Sequence, residues 1–535
     1  MIALRGQSTW RVSSIHVYTR AFGDAFQQTW VFWNTPLFFS RRVEWRLLAG
    51  IEYLDYMLFN SLEFLIFLPI VFAGYWLLAR YLKLQNLFVV VVSYVFYGWW
   101  DWRFLILIAF TSLWSFVFGL LERKCEARSL PSKLRLALSC IINLGILGYF
   151  KYCDFFVSQA VVILRQFGFE PHVRSLNILI PVGISFYTFQ ALSYTIDVYR
   201  RSIKPTKDPI AFFAFISFFP QLVAGPIERA TNLLPQFLKP RQFDYALAVE
   251  GCRQMLWGFF KKMVVADGCA LAANNLLTSD SHSSLSLLVG LFCFSMQIYG
   301  DFSGYSDIAI GASKTFGIRL MRNFDIPYFA RNIGEFWRRW HISLTTWFKD
   351  YLYIPLGGSR RGRMRTIINT FVIFVVSGLW HGANWTFIIW GVVHAVAFVP
   401  SLLLGTNRRH VREAIAEGRL LPSFFDVVGM LSTFLVVMLG WAFFRADSVE
   451  QSFMWVKEIL LGFDFSIRPI LRQGAPHAVL WSSVMLLCEW VNRKCEFGFA
   501  RYPVNASARY LVYWLIMLII VLNLSPRQTF IYFQF

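Results

Sequence analysis

A chain of 535 residues that is 57% hydrophobic and only 15% charged is too apolar for a soluble globular protein, and its continuous apolar runs, without strict alternation, exclude a transmembrane barrel. It reads as an all-α polytopic membrane protein whose 19% aromatic content suits interfacial belts and a bulky bundle interior. The net charge of +20 does not point to nucleic acid, because Lys and Arg cluster in short loops between apolar runs, where the positive-inside rule places them.

Residues 1–56 carry six Arg and four acidic residues among scattered aromatics and lack the compact apolar core of a secretory signal. At Met57 the character changes abruptly to Met57-Leu-Phe-Asn-Ser-Leu-Glu-Phe-Leu and an apolar run to Leu82. The expectation is an N-terminal extension over 1–56, over-long at its start or poorly ordered, and a single multi-span domain over 57–535.

Apolar runs predict spans near 62–80, 84–100, 104–121, 134–150, 178–198, 209–227, 247–274 and 284–300, and again near 366–404, 427–445, 479–492 and 509–525. The run 155–164 is too short to cross a hydrocarbon core of about 30 Å and is expected to lie in the interface or re-enter. The basic loops 123–135 and 200–207 are assigned to the cytoplasm. Pro181-Val-Gly-Ile-Ser-Phe-Tyr187 and Phe219-Pro-Gln-Leu-Val-Ala-Gly-Pro226 interrupt apolar spans and read as architectural kinks.

Asp301-Phe-Ser-Gly-Tyr-Ser-Asp307 follows a charge-free run, so two carboxylates approach the bilayer among small residues. Six residues apart, they fall on different helical faces and make a poor acid–base pair; orienting a histidine or a helix break is the role expected of one of them. The stretch 319–365 holds ten basic and three acidic residues among Trp337, Trp340, Trp347, Phe348, Tyr351 and Tyr353. It is expected to be interfacial and partly helical, most of its Arg side chains anchoring on anionic headgroups, with an entrance for an anionic thioester donor as the sharper reading. Pro355-Leu-Gly-Gly358 ends it in a tight turn.

From Thr366 to Asn407 there is no Asp, Glu, Lys or Arg, and His381 stands there within Gly378-Leu-Trp-His-Gly-Ala-Asn384. An ionisable side chain at membrane depth marks a functional candidate, and imidazole titrates nearest neutrality, which suits it to accept and return one proton. A helix from Arg365 to Ser377 rises only about 18 Å, so the 378–382 break is expected inside the membrane, with His381 facing an internal channel. The residues alone leave open whether His381 acts or merely packs. His341, in Phe336-Trp-Arg-Arg-Trp-His-Ile-Ser343, is within plausible reach of the same cavity but has no evident partner to orient it, and His394 reads as packing.

Eight scattered Cys without a CxxC pair predict neither a metal site nor a disulfide framework. The absence of a nucleophile elbow, a P-loop and a dinucleotide fingerprint argues against a serine hydrolase, an ATP-driven pump and a nicotinamide enzyme.

Together the segments resemble the membrane-bound O-acyltransferase family, and within it the alginate O-acetyltransferase branch that modifies bacterial exopolysaccharides. The resemblance runs from Met57 to Phe535. It rests on MLFNSLEFL, on PVGISFYTFQALSYTIDVYR from Pro181, on FFPQLVAGPIER from Phe218 and on QIYGDFSGYSDIAIG from Gln297. The long motif from Asn323 to Arg360, SGLWHGANW from Ser377 and the closing FIYFQF complete it, while residues 1–56 have no counterpart.

The resemblance implies a helical bundle with a central tunnel and interfacial or re-entrant helices in the bacterial inner membrane. It places His381 at the family's essential intramembrane histidine and His341 at the second histidine of the active-site region. It also implies a cytoplasmic acyl thioester donor such as acetyl-coenzyme A, no tightly bound cofactor and no metal. A polysaccharide acceptor and periplasmic acetyltransferase partners that pass the acetyl group on would complete the system. Related enzymes acting on cellulose, peptidoglycan or teichoic acid share much of the pattern. From other classes, a proton-gating transporter lacks the inverted repeat it would need, and a secretion scaffold leaves His381 unexplained.

Overall fold

Polar caps mark where the apolar runs become helices. Ser61 accepts the Phe64 N–H at 3.2 Å and starts α1 (Leu62–Leu77), which α2 (Leu82–Gly98) follows. A turn in which Asp101 accepts the Arg103 N–H leads into α3 (Leu105–Glu122). Next come α4 (Leu130–Gln166), α5 (Ile184–Tyr199), α6 (Pro209–Ser217, capped by Asp208) and the short α7 (Phe219–Leu222) and α8 (Ala230–Phe237). Asp244 caps α9 (Tyr245–Phe259), which passes through a π turn at Phe260–Ala266 into α10 (Asp267–Leu277). A Ser283–Ser286 capping box opens α11 (Ser284–Thr315).

In this computed structural model the described residues are 57–531 apart from 127, 172–175, 177, 224, 279–282, 412–414, 501–504, 525–527 and 529. The extension 1–56 and the last four residues of the closing FIYFQF lie outside them. The second half runs through α12 (Ile333–Arg339), α13 (Ile342–Phe348), a π turn at Lys349–Tyr353, α14 (Arg363–His381) and α15 (Trp385–Leu403). It ends in α16 (Phe424–Arg445), α17 (Val449–Leu461), α18 (Arg468–Arg472), α19 (Ala475–Val491) and α20 (Ala506–Leu522). Among the described residues there is no strand, and α3, α4, α11, α14, α15 and α16 are long and apolar enough to cross a membrane.

The centre of the bundle is α11, buried along nearly all of its length. It meets α9 along a glycine seam. A Cβ on Gly258 would strike the Gly304 carbonyl oxygen, and one on Gly251 would strike that of Gly311, so only the absence of side chains lets these backbones approach. Beside the seam, Lys261 pairs with Asp307 at 2.5 Å, and Lys262 with Asp301 and Asp267 at 2.8 and 2.9 Å. The two carboxylates of the Asp301–Asp307 motif therefore satisfy buried lysines of the neighbouring π turn. Their partners among the described residues are these lysines, Gln254 and the Ile531 N–H rather than a histidine, which corrects the expected orienting role.

Other expectations are revised as well. Residues 155–164 are the last turns of α4, whose 37 residues form one helix rising about 55 Å, so the run continues a span instead of forming a separate re-entrant segment. Nor does α14 break at Gly378. It continues to His381 and ends at Gly382, because the missing side chain at Gly378 admits the Phe387 carbonyl of α15. In 319–365, six of the ten basic residues, Arg319, Lys349, Arg360, Arg361, Arg363 and Arg365, are exposed, so most of the charge does lie at the surface. Arg331 and Arg339 instead turn inward to Glu335, and Trp337, Trp340, Trp347 and Phe348 are buried, so the middle of the segment, 333–348, packs into the core rather than lying at an interface.

The two Pro–Gly motifs meet where Gly183, opening α5, faces the Leu222 carbonyl of α7. Arg201 donates to the carbonyls of Glu122 and Cys125 at 3.2 and 2.6 Å, which brings the basic loops 123–135 and 200–207 to one face.

Candidate active site

His341 lies between α12 and α13 in a left-handed backbone conformation, φ 44°, rare for a residue with a Cβ. The neighbouring chain enforces it. The Ile342 N–H donates to the Asn323 carbonyl at 2.8 Å and the Asp325 N–H to the Arg339 carbonyl at 2.9 Å, tying 323–325 alongside 339–342. Arg339 also reaches the Asp325 carboxylate at 2.8 Å, and its other arm joins Arg331 on Glu335. Burial opposes the Glu335 charge, yet the hydrogen bonds and positive charges of Arg331 and Arg339 hold its carboxyl below the usual range.

The tie delivers the Asn323 side chain to the His341 ring. Oδ1 of Asn323 lies 3.1 Å from His341 Nδ1 and accepts from the Ser343 hydroxyl at 2.9 Å and the Ser343 N–H at 3.4 Å, while Nδ2 donates to Ser306 at 3.1 Å. A main-chain N–H can only donate, so the amide atom facing Ser343 is the oxygen, and His341 Nδ1 must carry the hydrogen. The neutral ring then presents a lone pair at Nε2, which has no hydrogen-bond partner among the described residues. The Ser343 hydroxyl is itself fixed by accepting the Ile227 N–H at 3.0 Å.

His381 is the last residue of α14 and 4% exposed. Its ring stands edge-on to Trp380, Trp390 and Phe444, with centroids 5.0, 5.2 and 5.4 Å away. Trp380 joins the two histidines, since the same indole lies 6.0 Å from the His341 ring, which Phe302 abuts at 4.6 Å. Forty residues apart in sequence, His341 and His381 thus pack against one indole in a single aromatic cluster. His394 packs against Trp337, Trp390 and Trp441, both ring nitrogens without partners among the described residues, in agreement with a packing role.

A polar cavity lined by Lys261, Tyr299, Asp307 and Arg322 includes Asn323, but not His341, in its wall. Nearby, Ile227 is followed by the fully buried Glu228, which accepts the Asn232 amide at 2.7 Å and the Met321 N–H at 2.5 Å. Burial pushes the Glu228 carboxyl up to about 7 against those hydrogen bonds.

Sequence reasoning missed two residues that contact the histidines or the turn that carries them. Asn323 carries no local signal, being an uncharged amide eighteen positions before its partner. Lys151, which contacts the end of α14, carried one. Joining the runs 134–150 and 155–164 into a single helix places a lysine inside a membrane span, where an ionisable group marks function.

Residues 200–440 match the model of MBOAT, the membrane-bound O-acyltransferase family. A Pseudomonas putida protein named a probable alginate O-acetylase is 41% identical over 395 residues, covering 74% of this chain and 78% of that protein. A Helicobacter pylori peptidoglycan O-acetyltransferase is 35% identical over 434 residues, 75% of this chain and 79% of its own. A Bacillus subtilis teichoic acid D-alanyltransferase is 31% identical over 239 residues, covering 42% and 60%.

Proposed function

The chain belongs to the membrane-bound O-acyltransferase family and is an acyltransferase, and on that premise we propose that it carries acetyl groups across the bacterial inner membrane for O-acetylation of an exopolysaccharide, alginate. The relatives named alginate O-acetylases support that acceptor. The basic face formed by 123–135 and 200–207 supports a cytoplasmic side from which an acyl thioester such as acetyl-coenzyme A enters. Periplasmic acetyltransferase partners would take the acetyl group onward to the polymer.

The observation that carries the reading is the His341–Asn323 hydrogen bond beside His381. A hydroxyl oxygen attacks the thioester carbonyl carbon as Nε2 of His341 takes the hydroxyl proton. The tetrahedral centre then expels the thiolate, the C–S bond breaks, and the imidazolium returns the proton to sulfur. His381, packed against the same Trp380 ring, completes the pair, and the surrounding aromatic side chains exclude the water that would otherwise take the acyl group.

The test is polymer-bound acetate from cells carrying the wild-type protein, His341→Ala or His381→Ala at matched membrane levels. Loss of acetate in both variants with normal polymer yield is expected. Retained acetate in either would remove that histidine from the chemistry, and unacetylated alginate beside an acetylated second polymer would reassign the acceptor.

A further inference from the structure

The last main-chain helical bond of α14 runs from the Gly382 N–H to the Gly378 carbonyl, which leaves the carbonyls of Leu379, Trp380 and His381 beyond the ladder. Within a bilayer no water is at hand to satisfy such groups. Two adjacent residues of α4 reach all three. Lys151 Nζ donates to Trp380 at 2.6 Å and to His381 at 2.9 Å, and the Tyr152 hydroxyl donates to Leu379 at 3.0 Å. The ammonium also lies 5.7 Å from the centre of the Trp380 ring, the ring both histidines face.

A cation at a helix C-terminus meets the negative end of the macrodipole, so charge and hydrogen bonds act together. Side chains tie off other helix ends too, as Arg201 does at the Glu122 carbonyl of α3 and Trp76 at the Thr315 carbonyl of α11, at 3.2 and 3.1 Å. At α14 the donor is a lysine from within the long apolar helix α4, and it holds two successive carbonyls, the second that of His381 itself. Gly382, in extended conformation, follows directly and gives the histidine no further helical support.

We infer that Lys151 is a positioning residue for acyl transfer: with Tyr152 it fixes the end of α14, and so the direction in which His381 presents its imidazole. This rests on the proposed function only for its activity readout.

Lys151→Met keeps the apolar stem and removes charge and donors, whereas Lys151→Arg keeps both. Polymer-bound acetate, at matched membrane levels, is expected to fall roughly tenfold to a hundredfold in Lys151→Met, the scale of a small misplacement at a reacting centre, and to recover in part in Lys151→Arg. In purified protein, the rate at which diethyl pyrocarbonate modifies His381, read by peptide mass spectrometry, is expected to change severalfold in Lys151→Met. Wild-type acetate together with a wild-type modification rate would overturn the inference. Equal acetate loss in both variants with an unchanged modification rate would overturn it too, marking Lys151 as structural only. If His381→Ala keeps its acetate, the acyl-transfer reading falls, and the modification rate alone decides Lys151.

Discussion

Asn323 Oδ1 and His341 Nδ1 stand 3.1 Å apart, and because the same oxygen accepts the Ser343 N–H, the hydrogen between amide and imidazole belongs to the ring. The tautomer of His341 is therefore set by a residue eighteen positions upstream. Asn323→Ala removes that acceptor, and acetyl transfer is expected to drop by about a hundredfold, near the lower end of what general-base catalysis supplies. Asn323→Asp, which still accepts from Nδ1, is expected to retain more activity than the alanine variant. Equal activity in all three proteins, measured as polymer-bound acetate, would show that the tautomer is not limiting.

Lys262 is 1% exposed and holds both Asp301 and Asp267, and the second oxygen of Asp301 accepts the Ile531 N–H at 2.8 Å. Removing the cation alone leaves two buried carboxylates facing each other. Lys262→Met is expected to cost about 3–5 kcal/mol, enough to deplete the folded protein from membranes. Adding Asp301→Asn and Asp267→Asn should restore part of the loss, read as the yield of membrane-inserted protein.

At the α9–α11 seam, Gly258→Ala puts a methyl group against the Gly304 carbonyl and Ile308. The backbones must part, and a loss of about 1–3 kcal/mol is expected, visible as a lower thermal unfolding midpoint in detergent. An unchanged midpoint would mean that the seam is looser than its geometry.

Glu228 gives the stability a pH dependence with a definite sign. Its carboxyl stands at about 7 in the fold against an ordinary 4.5, so the folded state binds the proton more tightly. That contribution is complete below the ordinary value and is lost as pH climbs through about 7. At about 1.4 kcal/mol per unit it amounts to something on the order of 3 kcal/mol. The unfolding midpoint of the wild-type protein is expected to fall between pH 5 and pH 8, and Glu228→Gln, with the Asn232 amide turned over, should flatten that fall. Parallel pH profiles for the two proteins would assign the dependence elsewhere.

Much of the fold was legible from apolar periodicity. The starts of α1 and α11, the spans 427–445 and 509–525 and the turn at Gly357 and Gly358, both with positive φ, lie where runs, caps and glycines place them. Glycine proved ambiguous. At Gly378 a residue that reads as a break serves close helix packing inside a continuous helix, because the same missing Cβ permits either use. Arg331 and Arg339 misled for a related reason: a run of basic residues reads as a wet surface unless its carboxylate partners, Glu335 and Asp325, are known to be folded against it.

By itself the sequence determined the class, an all-helical membrane protein, and singled out His381, since an imidazole in a stretch free of other charge is conspicuous in one dimension; His341, set among arginines, is less so. Only the tertiary structure decided that His341 and His381 face one indole, that Asn323 sets a tautomer and that Lys151 ties off the helix carrying His381. Those relationships depend on hydrogen bonds of about 3 Å between residues 18 to 230 positions apart. Periodicity reports which face of a helix is buried but not what waits on the other side.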